Sequence, residues 1–320
     1  MIPVLIDCDP GQDDALALLL ALGSPEVRVL GVTTVAGNQT LDKTTANALR
    51  VLELAGREDI PVAAGADGPL AGELVVAADA HGETGLDGVD LPPPSAEPVA
   101  DHAVDFIAAV LERSEEPVTL VPLGPLTNGA LLLARHPEAV ERIARIVLMG
   151  GAIREGNQTP SAEFNVWIDP EAAARVFESG LDLTMVGLDV TNKAVLRNED
   201  AAGLRGSGPV GDAAAAMLEF YLGFYNEAYE HGGAPIHDAL AMAYVFRPEL
   251  LTVEDRHVVV DTTAGPCRGR TVVDMRRRTK GPAPNAHVAV GVGVEGFRAL
   301  LLERLGAFSP TSPEASRRSS

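Results

Sequence analysis

Apolar positions along this chain switch between two periods. Short, nearly unbroken apolar runs rich in β-branched residues alternate with longer stretches in which apolar residues recur every third or fourth position. Residues 4–6, 27–35, 61–64, 118–123, 145–149 and 183–186 read as strands. Residues 13–22, 40–55, 101–113, a segment ending near Arg135, and 170–179 read as helices. In the second of these helices Ala48, Leu49, Leu52 and Ala55 share a face, and in the third Val104, Ile107, Ala108 and Leu111 do. Asp169 and Pro170 supply an N-cap and a first helical position for the last. Strand and helix in alternation predict an α/β fold with a mostly parallel central sheet flanked by helices, Rossmann-like in type.

In such sheets ligands bind beyond the C-terminal ends of the strands. The polar segments fall there repeatedly: Asp7 and Asp9 after the first strand, Gly37-Asn38 after the second, Leu123-Gly124 after a later one, and Gly150 onward after another. Residues 65–99 read as one long Gly- and Pro-rich loop that includes His81-Gly82-Glu83-Thr84-Gly85-Leu86-Asp87-Gly88. A loop of that length inside a compact domain is usually functional. A Gly232-Gly233-Ala234-Pro235 turn precedes Ile236-His237-Asp238. The catalytic domain is expected to span residues 1–308, with the Ser/Pro-rich residues 309–320 as a disordered tail.

The strongest chemical signal is Asp7-Cys8-Asp9-Pro10-Gly11-Gln12-Asp13-Asp14. Asp7 and Asp9 share a face of an extended segment, and Asp13 and Asp14 open the following helix. Acidic residues favour a helix N-terminus in any protein. Four carboxylates around one Pro-Gly turn, however, repel one another unless a cation sits among them, and hard divalent cations take oxygen ligands of this kind. A second constellation, Met149-Gly150-Gly151-Ala152 followed by Asn157, Glu163 and Asn165, offers donors and acceptors suited to a sugar's hydroxyls. It equally suits a turn-rich loop ending in a helix cap. His237-Asp238 precedes an apolar helix over residues 239–245, where Asp238 could serve as a cap and His237 as a core residue. Phe220, Tyr221, Phe224, Tyr225 and Tyr229 form an aromatic run whose tyrosines recur every fourth position. Core packing is its simpler use, and a lid stacking on a planar ligand the sharper one. Arg276-Arg277-Arg278 reads as a solvated turn.

The net charge of −20 over 320 residues argues against nucleic acid or an anionic membrane as partner, since both repel such a surface. Two cysteines are too few for a disulfide framework or a thiolate metal site. With no visible secretory signal and no apolar stretch long enough to span a bilayer, a cytoplasmic setting is expected.

Together these motifs, in this order, with Ala36-Gly37-Asn38, Gly124-Pro125-Leu126-Thr127-Asn128 and Ala162-Glu163-Phe164-Asn165, resemble the inosine–uridine preferring nucleoside hydrolases over nearly the whole chain. The resemblance implies the nucleoside hydrolase fold and hydrolysis of the N-glycosidic bond of ribonucleosides to ribose and free base. It implies one Ca²⁺ held by Asp9, Asp14, Asp238 and the backbone carbonyl of Leu123. A metal-bound water would attack directly, with Asp9 as general base and inversion at the anomeric carbon. Asp13, Asn38, Asn157, Glu163, Asn165 and the Met149 backbone would hold the ribose, His81 would lie near the base, and His237 would assist its departure. Asp7 is left as support behind these groups. Having both histidines resembles the less base-selective branch of the family. Family members are usually dimers or tetramers. Asn192, where many relatives carry histidine, and Trp167 depart from the pattern at the pocket wall. Two rivals remain: a Mg²⁺-dependent phosphohydrolase using Asp7-x-Asp9, for which a phosphate-holding lysine is wanting, and a non-catalytic nucleoside- or ribose-binding protein.

Overall fold

A computed structural model describes residues 1–228, 232–276 and 281–309. Tyr229 of the aromatic run, Arg277 and Arg278, and the tail from residue 310 lie outside them.

The described strands are β1 (Ile2–Cys8), β2 (Val27–Thr34), β3 (Val62–Ala64), β4 (Val118–Pro122), β5 (Ile143–Met149), β6 (Leu183–Val186), β7 (Val195–Leu196), β8 (Ala234–Pro235), β9 (Leu251–Arg256), β10 (Val258–Val260), β11 (Thr271–Val273) and β12 (Ala286–Val292). Eight of them make one sheet in the order β3-β2-β1-β4-β5-β6-β12-β9. Every pairing in it is parallel except β12 with β9. The expected α/β class is therefore correct, and so is the mostly parallel sheet. The two remaining pairs, β7–β8 and β10–β11, are small antiparallel ribbons.

The helices pack on both faces, with one apolar cluster on each side of the sheet. The helix Gln12–Leu22 is buried along its whole length, and so is His237–Phe246, which packs against it. This explains why neither has a polar stripe: each is covered on all sides. At about 1.5–3 kcal/mol for each fully buried leucine, Leu16, Leu18, Leu19, Leu20 and Leu22 anchor the turn that precedes them.

The strand order reverses on either side of β1. From there the chain builds outward to β2 and β3 in one direction and to β4, β5 and β6 in the other. The gap between the carboxyl ends of β1 and β4 is such a sheet's topological switch point, where a crevice opens. Asp7 pairs in register with Thr33 of β2 and Pro122 of β4. Asp9, two residues on, therefore emerges into that crevice.

Two expectations need correcting. Residues 65–99 are not wholly irregular: a one-turn helix, Ala78–His81, lies within them, and Val99 bridges to Ala63 beside β3. The helix expected over 239–245 starts at His237 and runs to Phe246, with Ile236 at its N-cap. The Ile236 N–H still bonds Ala194 O beside the β7–β8 ribbon, so the helix begins immediately after it. His237 and Asp238 thus occupy its first turn, and Asp238 is not the cap.

Candidate active site

The floor of the crevice is built from carboxylates. Asp9 Oδ2 accepts the Asn38 backbone N–H at 2.6 Å, and its carbonyl accepts Asn38 Nδ2 at 3.1 Å. Asp14 accepts the backbone N–H groups of Asp9 and Gly11 at 3.2 and 3.0 Å, and Asn38 Nδ2 at 3.0 Å. Asn38 is therefore a clamp between β1 and β2 as well as a wall residue. Asp7 accepts Thr33 Oγ1 at 2.6 Å and Asn128 Nδ2 at 2.8 Å, so it braces the strand ends from below. Asp13, Asp14 and Asp238 each bring an oxygen within 4.8 Å of the others. Asp9 stands beside this trio rather than within it. Its Oδ1 is buried without a hydrogen-bond partner among the described residues.

Such a floor is electrostatically expensive. Burial, and then the carboxylates around them, push Asp9 and Asp238 well above the ordinary carboxylate range. The same causes raise Asp13 to about 7, and burial raises Asp14. Burial also takes Asp7 to about 6 against the pull of its two hydrogen bonds. A cation among these groups would remove the cause. An all-oxygen donor set with one orphaned buried oxygen fits a hard divalent ion.

Above the floor lies a cavity lined by Asp13, Asn38, His81, Leu123, Met149, Asn157, Glu163, Asn165, His237 and Asp238. Every residue expected at the site is thus brought together, with Asp9 and Asp14 just beneath. One wall is a hydrogen-bonded frame. Asn165 Nδ2 donates to the Leu123 and Met149 carbonyls at 2.7 and 3.2 Å, leaving its Oδ1 as an acceptor for a ligand. Asn157 Oδ1 accepts the Phe164 N–H, leaving its amino group to donate. Glu163 caps the short helix Phe164–Ile168 and also takes the Gly151 N–H at 2.8 Å, and burial raises it to about 7.

The opposite end is aromatic. Tyr221, Phe224 and Tyr225, from the helix Pro209–Ala228, line the cavity, so the aromatic run does more than pack the core. Tyr221 stacks on His81, with centroids 5.6 Å apart, and its hydroxyl lies 3.5 Å from Asp13 Oδ2. His237 is held at both ring nitrogens, Nδ1 by Thr191 Oγ1 at 2.8 Å and Nε2 by the Tyr225 hydroxyl at 3.1 Å. The cavity thus pairs a wall for several hydroxyls with a slot for a flat ring.

A family model for "Inosine-uridine preferring nucleoside hydrolase" matches residues 4–299. This chain belongs to that family. It is a nucleoside hydrolase, an N-glycosidase, as the first resemblance implied. It is 50% identical over 311 residues to the pyrimidine-specific ribonucleoside hydrolase RihA of Shewanella oneidensis, covering 97% of this chain and 98% of that one. Among solved structures it matches a purine-preferring ribonucleoside hydrolase from Gardnerella vaginalis, with TM-score 0.89, 35% identity, and 96% and 100% of the two chains covered. A plant nucleoside hydrolase, PpNRh1, matches with TM-score 0.90 and 35% identity over 96% and 99%.

Some contributors escape a reading of the linear chain. Thr191, Gln12 and Asn128 act through partners 46, 69 and 121 residues away, respectively; Gln12 and Asn128 lie inside the motifs, but nothing in their neighbours along the chain marks these roles. Tyr221 and Tyr225 did leave a trace, their four-residue spacing. Trp167 does not line the cavity; its backbone packs under Gly269. Asn192 lines a separate surface crevice with Lys193 and Met275. Among the described residues, no helix is long and apolar enough to cross a membrane.

Proposed function

We propose that this nucleoside hydrolase cleaves the N-glycosidic bond of ribonucleosides by direct attack of water, using Asp9 as general base and one Ca²⁺ held by Asp9, Asp14, Asp238 and the Leu123 carbonyl. The observation that carries this reading is the buried carboxylate floor at the switch point, with Asp9 Oδ1 lacking a hydrogen-bond partner among the described residues. When bound, Ca²⁺ supplies Lewis acidity that lowers the pKa of a water and aligns it with the anomeric carbon.

Asp9 takes the proton of the attacking water as the C–N bond lengthens. The sugar then carries oxocarbenium-like positive charge, which the surrounding carboxylates stabilise. Asp13, Asn38, Asn157, Glu163, Asn165 and the Met149 backbone hold the ribose by its hydroxyls. A 2′-deoxy sugar leaves such polar groups unpaired and is rejected for that reason. His237, linked to Tyr225 and Thr191, supplies the proton that the departing base needs. With attack and departure on opposite faces, the product sugar is inverted and no covalent intermediate forms.

Relatives named pyrimidine-specific make uridine and cytidine the first substrates to try. The pair His81 and His237 extends the proposal to inosine. No Lys or Arg lines the cavity among the described residues, which disfavours the phosphohydrolase reading.

The test is ribose release from uridine, cytidine, inosine and adenosine, with and without chelator. Turnover should stop with chelator, and Asp9→Asn should lose at least about a hundredfold in kcat, since the loss of a general base costs two to four decades. Near-normal turnover by Asp9→Asn would remove Asp9 from its role. Binding without turnover by the wild type would favour a ribonucleoside-binding protein.

A further inference from the structure

Gln12 is fully buried between the carboxylate floor and the His81 loop. Its Nε2 lies 3.2 Å from the His81 carbonyl oxygen and 3.1 Å from that of Asp87. Carbonyls only accept, so the amide nitrogen must face them, and the orientation of the amide is fixed. Its Oε1 is then the atom 2.7 Å from His81 Nδ1. An amide oxygen also only accepts, so Nδ1 must carry the proton. A neutral imidazole has one N–H, which leaves Nε2 with a lone pair. Burial, and then the nearby His237, lower His81 to about 3, so the neutral ring is the form present at pH 7.

The ring has little freedom to escape this arrangement. Tyr221 stacks on it at an interplanar angle of 23°. Its Nδ1 edge fits against Gly11 so closely that a Cβ there would lie 2.3 Å from Nδ1. His81 lines the cavity, and its Nε2 has no hydrogen-bond partner among the described residues.

We propose that Gln12 is a positioning residue that locks His81 in its Nδ1–H tautomer, so that the base end of the cavity presents an acceptor at His81 Nε2 and selects nucleobases carrying an N–H donor. The selectivity half of this inference rests on the ribonucleoside reading above. It divides the work of the two histidines: His237 gives a proton to the base, and His81 receives a hydrogen bond from it. A site built to pair with an N–H discriminates strongly against an analogue lacking it, because the acceptor is then buried unpaired.

Two measurements test it. The first is long-range ¹H–¹⁵N correlation on full-length protein with ¹⁵N-labelled histidine at pH 7, with His81→Phe used only to assign the signal. His81 should show a protonated, pyrrole-type Nδ1 and a pyridine-type Nε2. An Nε2–H tautomer or an imidazolium overturns the lock. The second compares kcat/KM for uridine with 3-methyluridine, and for inosine with 1-methylinosine. In at least one pair the wild type should favour the N–H form by more than about tenfold, mainly through KM. In Gln12→Leu, where the tautomer is released, that ratio should fall severalfold. A merely structural role for Gln12 would slow both members of a pair alike and leave the ratio unchanged, which overturns the selectivity. If Gln12→Leu does not fold, the wild-type spectrum and the wild-type ratios still decide. If folded wild type releases ribose from no nucleoside, the ribonucleoside reading falls and takes the selectivity with it, while the spectrum still decides the tautomer.

Discussion

Glu163 accepts three backbone N–H bonds, from Asn165, Gly151 and Val166, and yet burial still holds its carboxyl up at about 7. Folded Glu163 thus keeps its proton over a range in which an unfolded glutamate, near 4.5, has lost it. The folded chain binds more protons there, so the stability contributed by this group is complete below pH 4.5 and is lost as pH rises through about 7. The loss is roughly 3 kcal/mol at 1.36 kcal/mol per pH unit. Glutamine cannot titrate. Its amide nitrogen cannot accept, so Glu163→Gln leaves at least one of the three donors without its partner, a pH-independent cost of about 1–3 kcal/mol. In urea denaturation the wild type should exceed the variant in stability near pH 4.5, and the gap should shrink or reverse by pH 8. A gap independent of pH would mean that Glu163 ionises like a solvent-exposed residue.

At the scale of elements, the site depends on how closely strand ends approach one another. A Cβ on Gly124, just after β4, would lie 2.2 Å from Asp9 Oδ1, and one on Gly37, after β2, would lie 2.2 Å from Asp9 Oδ2. Neither glycine needs a left-handed backbone; what each provides is room. Gly124→Ala must therefore move Asp9 while leaving the sheet's own residues untouched. The expected result is at least a hundredfold loss of kcat with little change in the circular dichroism spectrum, and a Tm within a few degrees of wild type. Wild-type turnover in that variant would mean that the geometry around Asp9 is loose. The elements that carry this geometry were mostly legible in the sequence. β1 and its acidic turn stand out because four carboxylates around Pro10-Gly11 have few uses, and β1 to β6 stand out as short apolar runs between helix-like stretches, whereas β9 and β12 at the far side of the sheet were not read. The helix Ala78–His81 was hidden because four residues make only one turn and show no period. The helix His237–Phe246 could be placed but not bounded, since burial on all sides erases the polar face that marks a helix. Gln12 was invisible in a deeper sense. It looks like a neutral spacer until the fold brings His81 and Asp87 over it.

Across the whole molecule, the carboxylate floor joins two distant parts of the chain. Asp9 comes from the turn after β1, and Asp13 and Asp14 from the first turn of the helix Gln12–Leu22, while Asp238 comes from the helix His237–Phe246 packed beside it. A divalent ion held by both would act as a tie between the two most deeply buried helices, and its binding free energy would add to folding stability. At a free Ca²⁺ concentration 100 times Kd the gain is about 2.7 kcal/mol, which for a chain of this size raises Tm by several degrees. The net charge of −20 offers a competing explanation, because any salt relieves general repulsion on so acidic a protein. The two are separable at fixed ionic strength. Site binding predicts that Ca²⁺ raises Tm in a background of constant NaCl, that chelator reverses the rise, and that Asp238→Asn largely abolishes it. Asp238→Asn removes one of several mutually repelling buried carboxylates, so without Ca²⁺ it should be no less stable than the wild type even as it loses the response. Asp274→Asn subtracts the same formal charge from an exposed Arg276 ion pair far along the sequence and should leave the response intact. Equal responses from the two variants would assign the effect to general charge screening and empty the floor of its cation.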